Sequence, residues 1–220
     1  MNPKVAIIVQ GRANYLNDLI KSYSKCEHKV ILSTFDAINP VQDISVLLNV
    51  PPNDEKFMFY QSKGVLSALE ILKKSHNLFL KIRSDFIIDV DDVNRLVDIL
   101  VEKYERNKKI ISYSASFNSF RCVQDWIIFG NYEQVKNYFT ILPRWNRVSS
   151  PETAFYKSYL QSSGYPLVDV KQSDRYFDFM ILDIIKSNIK IEVFKGRYEY
   201  MDIKHYGLID KTHDIYFGNA

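Results

Sequence analysis

The stretch VAIIVQGRANYLNDLIKSYSKCEHKVILST, residues 5–34, decides the fold. It opens on VAIIV (5–9), a run of small and β-branched apolar residues stopped by Gln10, Gly11 and Arg12. An apolar run without polar alternation reads as a strand buried on both faces. LNDLIKSYSK (16–25) follows with Leu16, Leu19, Ile20 and Tyr23 at helical spacing, and KVILST (29–34) is a second buried strand. Strand, helix, strand argues for an α/β sandwich with a mainly parallel central sheet and helices on both faces.

The alternation continues outward. ISVLLNV (44–50) is a third strand, PPNDEKF (51–57) a loop, and QSKGVLSALEILKKS (61–75) a helix with Val65, Leu66, Leu69 and Leu72 on one stripe. NLFLKI (77–82) is the next strand, and DDVNRLVDILVEKYER (91–106) an amphipathic helix built on Val93, Leu96, Val97 and Leu100. KKIISYSA (108–115) and CVQDWIIFG (122–130) read as strands, and NYEQVKNYFTIL (131–142) as a helix capped by Asn131. After the loop PRWNRVSS (143–150), SSPETAFYKSYLQSSG (149–164) predicts a helix with Ser150 at the cap, Pro151 in the first turn and Gly164 at the stop. YFDFMILDIIKSN (176–188) predicts one more helix and IKIEVF (189–194) a late strand, and the tail beyond has no clean period.

Composition narrows the function. At 220 residues a single domain with a substantial core is expected. A net charge of +3, from 29 Lys and Arg against 26 Asp and Glu, is too slight for nucleic-acid binding and suits an anionic small ligand. Cys26 and Cys122 show no C-x-x-C spacing, which excludes a disulfide scaffold and a cysteine metal cluster and points to a reducing, cytoplasmic setting. The run at 5–9 is too short for a signal-peptide core or a membrane span, so any membrane association is expected to be peripheral, at an inner, anionic face.

In an open α/β sheet, ligands sit beyond the carboxyl ends of the strands. The residues there are Gln10, Gly11 and Arg12 after the first strand, Ser33, Thr34 and Asp36 after the second, and Arg83, Ser84 and Asp85 after the fourth. Neither G-x-G-x-x-G nor G-x-x-x-x-G-K-[ST] occurs, which argues against a dinucleotide dehydrogenase and a P-loop ATPase. Arg12 and Arg83 can give bidentate donors to phosphate, and Asp85 is the hard oxygen ligand that Mg²⁺ or Mn²⁺ takes; Arg83 and Asp85 can equally form a structural ion pair. Asp89, Asp91 and Asp92 stand where acids start a helix, although Asp89 and Asp91 also form a D-x-D pair and Asp89 is a second metal candidate.

Taken in order, VAIIVQGR, LSTFD, FYQSKGVLSAL, LFLKIRSDFII, QDWIIFGNYEQV and SSPETAF, spread over about residues 5–160, resemble the glycosyltransferase family known as the WavE lipopolysaccharide synthesis proteins. Phe35, Tyr60 and Thr153 depart from it, standing where that family often has Trp, Arg and Gln. The resemblance implies a GT-A type, Rossmann-like domain over residues 1–220, with a nucleotide-sugar half to about residue 115 and an acceptor-side half and tail beyond. It further implies Asp85 at the metal-binding acidic motif, Arg83 beside the diphosphate, Gln10, Gly11 and Arg12 by the nucleotide, and Asp36 near the base or ribose. Gln61 and Gly64 would lie on the helix facing the donor, Asp125 and Trp126 on the acceptor side, and His205 would bring a carboxyl-terminal ligand to the metal. Glu152 falls on the general-base position, though an acid there also suits the first turn of a helix.

The implied reaction is metal-assisted transfer of a sugar, with Mn²⁺ or Mg²⁺, from a nucleotide sugar to a glycan or lipid-linked acceptor of lipopolysaccharide or capsule. Such a transfer needs the leaving diphosphate's charge stabilised and a carboxylate, here Glu152 or Asp125, to deprotonate the acceptor hydroxyl. Two other readings stay open: a nucleotidyltransferase on a similar fold, which would release pyrophosphate, and a non-catalytic glycan- or partner-binding module, motivated by fifteen Tyr and fourteen Phe.

Overall fold

A computed structural model of the chain describes residues 3–39, 44–52, 56–113, 115–116, 122–148, 150–180, 184, 186–194 and 200–202. Strands β1 (Val5–Gln10), β2 (Lys29–Thr34), β3 (Ser45–Leu48) and β4 (Leu78–Arg83) run parallel, each paired with its neighbour in the order β3-β2-β1-β4. Short antiparallel β5 (Phe86–Ile88) leaves β4 for a second, smaller sheet. The main sheet goes on through β6 (Ile110–Ser112), β9 (Ile127–Asn131) and β10 (Phe177–Phe179), in the full order β10-β6-β9-β4-β1-β2-β3. Only β9 is antiparallel to its neighbours. A mixed, largely parallel sheet flanked by helices is a GT-A-like α/β sandwich.

The core follows from strand alternation. All six residues of β1 are buried: Val5, Ile7 and Val9 pack with α1 (Leu16–Tyr23) and α3 (Val93–Asn107), while Ala6 and Ile8 face the other layer. That second layer holds α2 (Phe57–Leu72), α4 (Tyr132–Phe139) and α5 (Pro151–Ser162). Covering both faces is what a strand with no polar alternation requires. The helix starts follow the residue chemistry: Asn131 and Gln134 form a reciprocal capping box, and the Ser150 hydroxyl accepts from the Thr153 N–H.

Two expectations are corrected. The strand expected over 122–130 is broken: β8 (Cys122–Val123) pairs with β7 (Ala115–Ser116) outside the main sheet, and β9 begins only at Ile127. Asp125, between them, is fully buried against Lys81. The helix expected over 176–188 begins instead with β10, where Phe177 and Phe179 alternate with Asp178 and Phe177 enters an aromatic cluster with Tyr138 and Tyr159. Aromatic alternation at period two favours a strand beside β6 over three residues; a helical hydrogen bond from Ile184 N to Met180 O follows it.

β11 (Ile191–Phe194) matches the late strand expected, and it pairs antiparallel with β5 and β12 (Tyr200–Asp202). Among the described residues no helix is long and apolar enough to cross a membrane.

Candidate active site

The parallel strands deliver their carboxyl ends to one edge, and β9, running the other way, delivers its beginning there. Two backbone bonds tie three of these ends together: Gly11 N–H donates to Ser33 O at 3.2 Å, and Ser84 N–H donates to Gln10 O at 3.0 Å. Gly11 has φ +148°, and a Cβ on it would lie 2.2 Å from Ser84 Oγ. The close approach of the two loops, not a tight turn alone, demands glycine here.

Above this floor lies a cleft of about 510 Å³. Eight residues expected from sequence line it: Gln10, Gly11 and Arg12 from the end of β1, Asp36 beyond β2, Gln61 from α2, and Arg83, Ser84 and Asp85 at the end of β4. Tyr15, Phe35 and Tyr60 complete the wall. Phe35 and Tyr60 meet edge to face with ring centroids 4.9 Å apart, an apolar corner of the kind that holds a flat ring.

The charged groups lie opposite in sign and close together. Arg83 grips Asp85 bidentately, Nε to Oδ1 at 2.9 Å and the second guanidinium nitrogen to Oδ2 at 2.5 Å, with the side chains 31% and 19% exposed. The Asp36 carboxylate accepts from Ala13 N–H at 2.8 Å, which fixes the turn carrying Arg12. Burial and the Asp85 carboxylate raise the Tyr15 phenol above its ordinary value, and Arg12 and Arg83 pull it back, so its hydroxyl belongs to the same electrostatic group. Sequence reasoning passed over Tyr15, because a Tyr opening a helix carries no signal that it will turn to face a strand end.

Directly behind the cleft is a polar group sealed in the core. Lys81 and Asp125 are both 0% exposed; Lys81 Nζ lies 3.1 Å from Asp125 Oδ2 and also donates to the Asp125 carbonyl. Gln61 Nε2 donates to the same Oδ2 at 3.0 Å. Burial pushes the Lys81 ammonium below its ordinary value while Asp125 pulls it back up. Asp125, expected to line the acceptor side, is thus placed inside; its neighbour Trp126 stacks on Tyr113 at 5.6 Å, and the Trp126 carbonyl accepts from Arg83 N–H at 3.2 Å. The signal for this cluster was in the sequence, where Lys81 interrupts the apolar LFLKI.

The other expected site residues fall elsewhere. Gly64 sits where α2 crosses the sheet, a Cβ there meeting Gln10 Cγ at 3.3 Å and Ser33 Oγ at 3.4 Å. Asp89 lines a separate hollow of about 260 Å³ with Asp18 and Lys21, and its carboxylate accepts from Asp91 N–H. Glu152 lies in the first turn of α5 and takes a hydrogen bond from Ser150 Oγ at 2.8 Å. Burial and the nearby Glu152 push the Cys122 thiol up to about 12, which places that carboxylate beside β8. His205 lies outside the described residues. Among the described residues no three His, Cys, Asp or Glu side chains gather as metal ligands.

No family model matches the chain, and no curated protein matches it. Among solved structures it is similar to a glycosyltransferase involved in the glycosylation of the major capsid of PBCV-1, with a TM-score of 0.50 and 14% identity over 81% of this chain and 83% of that one. A protein of STIV follows at TM-score 0.49 and 9% identity over 90% of each chain. TarS of S. aureus, residues 1–349, stands at 0.46 and 12% over 71% of this chain and 55% of that one. At 14% identity the PBCV-1 likeness is one of fold.

Proposed function

We propose that the protein is a glycosyltransferase moving a sugar from a nucleotide-sugar donor to a cell-surface glycan or lipid-linked acceptor, as in lipopolysaccharide or capsule synthesis, at the cytoplasmic face of a membrane. The observation that carries the reading is the single cleft that combines an aromatic corner, two arginines and two carboxylates at the carboxyl edge of the sheet. A base ring suits Phe35 and Tyr60, and a diphosphate suits Arg12 and Arg83. The fold that the chain shares with the PBCV-1 glycosyltransferase supports the same class of reaction, and the motif resemblance supports the lipopolysaccharide setting.

The donor set fits a hard divalent cation. Mg²⁺ keeps several waters and is held by one or two carboxylates together with substrate phosphates, so three protein ligands are not required. Asp85 would hold Mg²⁺ or Mn²⁺ once Arg83 turns from it to the diphosphate, with His205 as a further ligand proposed from sequence; Asp89, the other acid proposed from sequence, lines the separate hollow. Bound there, the ion supplies positive charge where the leaving diphosphate gathers negative charge. Arg83 and Arg12 do the same through N–H donors, and Tyr15 adds a hydroxyl to that group. Glu152 is proposed to take the proton of the acceptor hydroxyl.

The test is a panel of nucleotide sugars measured for thermal stabilisation and for release of nucleoside diphosphate, each with Mn²⁺, Mg²⁺ or chelator. One donor should stabilise the protein and be turned over in a cation-dependent way. Release of pyrophosphate would identify a nucleotidyltransferase instead, and binding of none would leave a non-catalytic module. Glu152→Gln should keep donor binding and lose transfer; retained transfer would remove Glu152 as the base.

A further inference from the structure

We infer that Gln61 reads a hydrogen-bond donor on the ligand, and that Asp125 and Lys81 are positioning residues that fix which end of the Gln61 amide does so. The inference rests on the nucleotide-sugar reading of the same cleft.

A glutamine amide has one donor end and one acceptor end of nearly the same shape, and only its partners tell them apart. Here the partner decides. Gln61 Nε2 donates to Asp125 Oδ2 at 3.0 Å. Lys81 Nζ, a donor and never an acceptor when charged, lies 3.1 Å from the same oxygen, with both side chains fully buried, so that oxygen already serves as an acceptor. Were the amide reversed, two acceptor oxygens would face each other at hydrogen-bond distance. The nitrogen is therefore committed to the interior.

What Gln61 can still offer is its carbonyl oxygen. Gln61 lines the cleft, is 2% exposed, and its Oε1 is a buried acceptor with no hydrogen-bond partner among the described residues. A buried acceptor left unmade is destabilising, and a ligand donor relieves the cost. Phosphate oxygens accept and cannot serve. The group that meets Gln61 is a hydroxyl or N–H of the nucleoside, while the diphosphate is left to Arg12 and Arg83. Three residues thus act in series: Lys81 engages Asp125 Oδ2 as an acceptor, that oxygen sets the orientation of Gln61, and Gln61 sets the polarity that the ligand must match.

The experiment compares inorganic pyrophosphate with UDP, GDP, CDP and ADP as ligands of wild type and of Gln61→Met, which keeps the volume and cannot accept a strong hydrogen bond. The expected result is about a tenfold loss of affinity for the best nucleoside diphosphate, equivalent to about 1.4 kcal/mol, with pyrophosphate affinity unchanged. Lys81→Met combined with Asp125→Leu, which removes the acceptor that orients the amide, should show the same selective loss; if that variant does not fold, Gln61→Met alone decides. Equal weakening toward both ligand classes, or none toward either, would overturn the inference and leave the nucleotide-sugar reading standing. Wild type binding no nucleoside diphosphate at all would overturn both.

Discussion

One face of β4 carries two cation–aspartate pairs only two residues apart, and they differ in almost every respect but chemistry. Lys81–Asp125 is fully buried, and its shared oxygen also takes the Gln61 amide. Arg83–Asp85 stands at the mouth of the cleft, with side chains 31% and 19% exposed. The first pair has no water to fall back on, so each member needs the other; the second can open, because solvent or a ligand can replace either partner. One strand therefore supplies a fixed support at one step and an exchangeable binding pair at the next, and depth alone separates them.

The largest effect expected is at the deep pair. Asp125→Ala leaves the Lys81 ammonium in the core without its carboxylate, at a cost of about 3–5 kcal/mol. For a chain of this size that lowers Tm by about 10 °C, measurable in a thermal or denaturant melt. Lys81→Met combined with Asp125→Leu should recover most of the loss, since the desolvation of both charges disappears together. An Asp125→Ala melt within about 1 kcal/mol of wild type would break the comparison, because such a value belongs to exposed pairs.

The mouth pair should respond in the opposite sense, with function falling and the fold hardly moving. Arg83→Ala should reduce turnover of the donor nucleotide sugar about 100-fold, as loss of one charge-stabilising donor does. Stability should change by less than about 1 kcal/mol. Asp85→Ala should likewise spare the melt and remove the cation dependence of donor binding. Cation-dependent binding that survives Asp85→Ala would assign the metal to other groups.

How much of this could be read from sequence follows from the same division by depth. Strands β1, β2 and β4 were legible because burial on both faces writes an unbroken apolar run, and the polar residues just beyond each run had to lie on one edge. Arg83, Asp85, Gln10, Gly11 and Asp36 needed no more than that rule. Tyr15 was illegible because its place depends on how α1 docks, and Asp125 because the strand pattern of CVQDWIIFG hides the break between β8 and β9 in which it lies. The three-residue β10 was lost inside a longer apolar stretch whose helical and strand periods overlap. Lys81 was the missed opportunity: a charge amid LFLKI has to find an anion, and the candidates were few.

A third group of acids, seven residues or fewer beyond Asp85, extends the comparison to the surface. Asp92, its side chain 12% exposed, accepts from Lys190 N–H at 2.7 Å and ties the start of α3 to the approach of β11. Asp92→Ala should cost about 2 kcal/mol in a melt, one hydrogen bond to a charged acceptor, with donor binding unchanged. Loss of donor binding at that site would mean that the acids after β5 reach the cleft after all.

The smallest effect is expected at Asp91, whose salt bridge to Lys25, at 2.6 Å, is nearly as short as the 2.5 Å contact of Arg83 with Asp85 at the cleft, yet lies between side chains 72% and 64% exposed. Its hydrogen bond and charge hold the Lys25 ammonium above the ordinary 10.5. For a cation whose folded value is raised, the stabilisation is complete below the unfolded value and is lost as pH climbs through the folded one. The sign is therefore a loss on the alkaline side, but for a pair in full contact with water the loss is masked by solvent and salt. Asp91→Asn and wild type should give the same melting temperature at neutral pH, in low and in high salt, and their curves should stay together from about pH 9 to about pH 11. A gap that opens at neutral pH and closes across that alkaline range would show that distance, and not depth, governs these pairs, and the contrast between Lys81 and Arg83 would then need another cause.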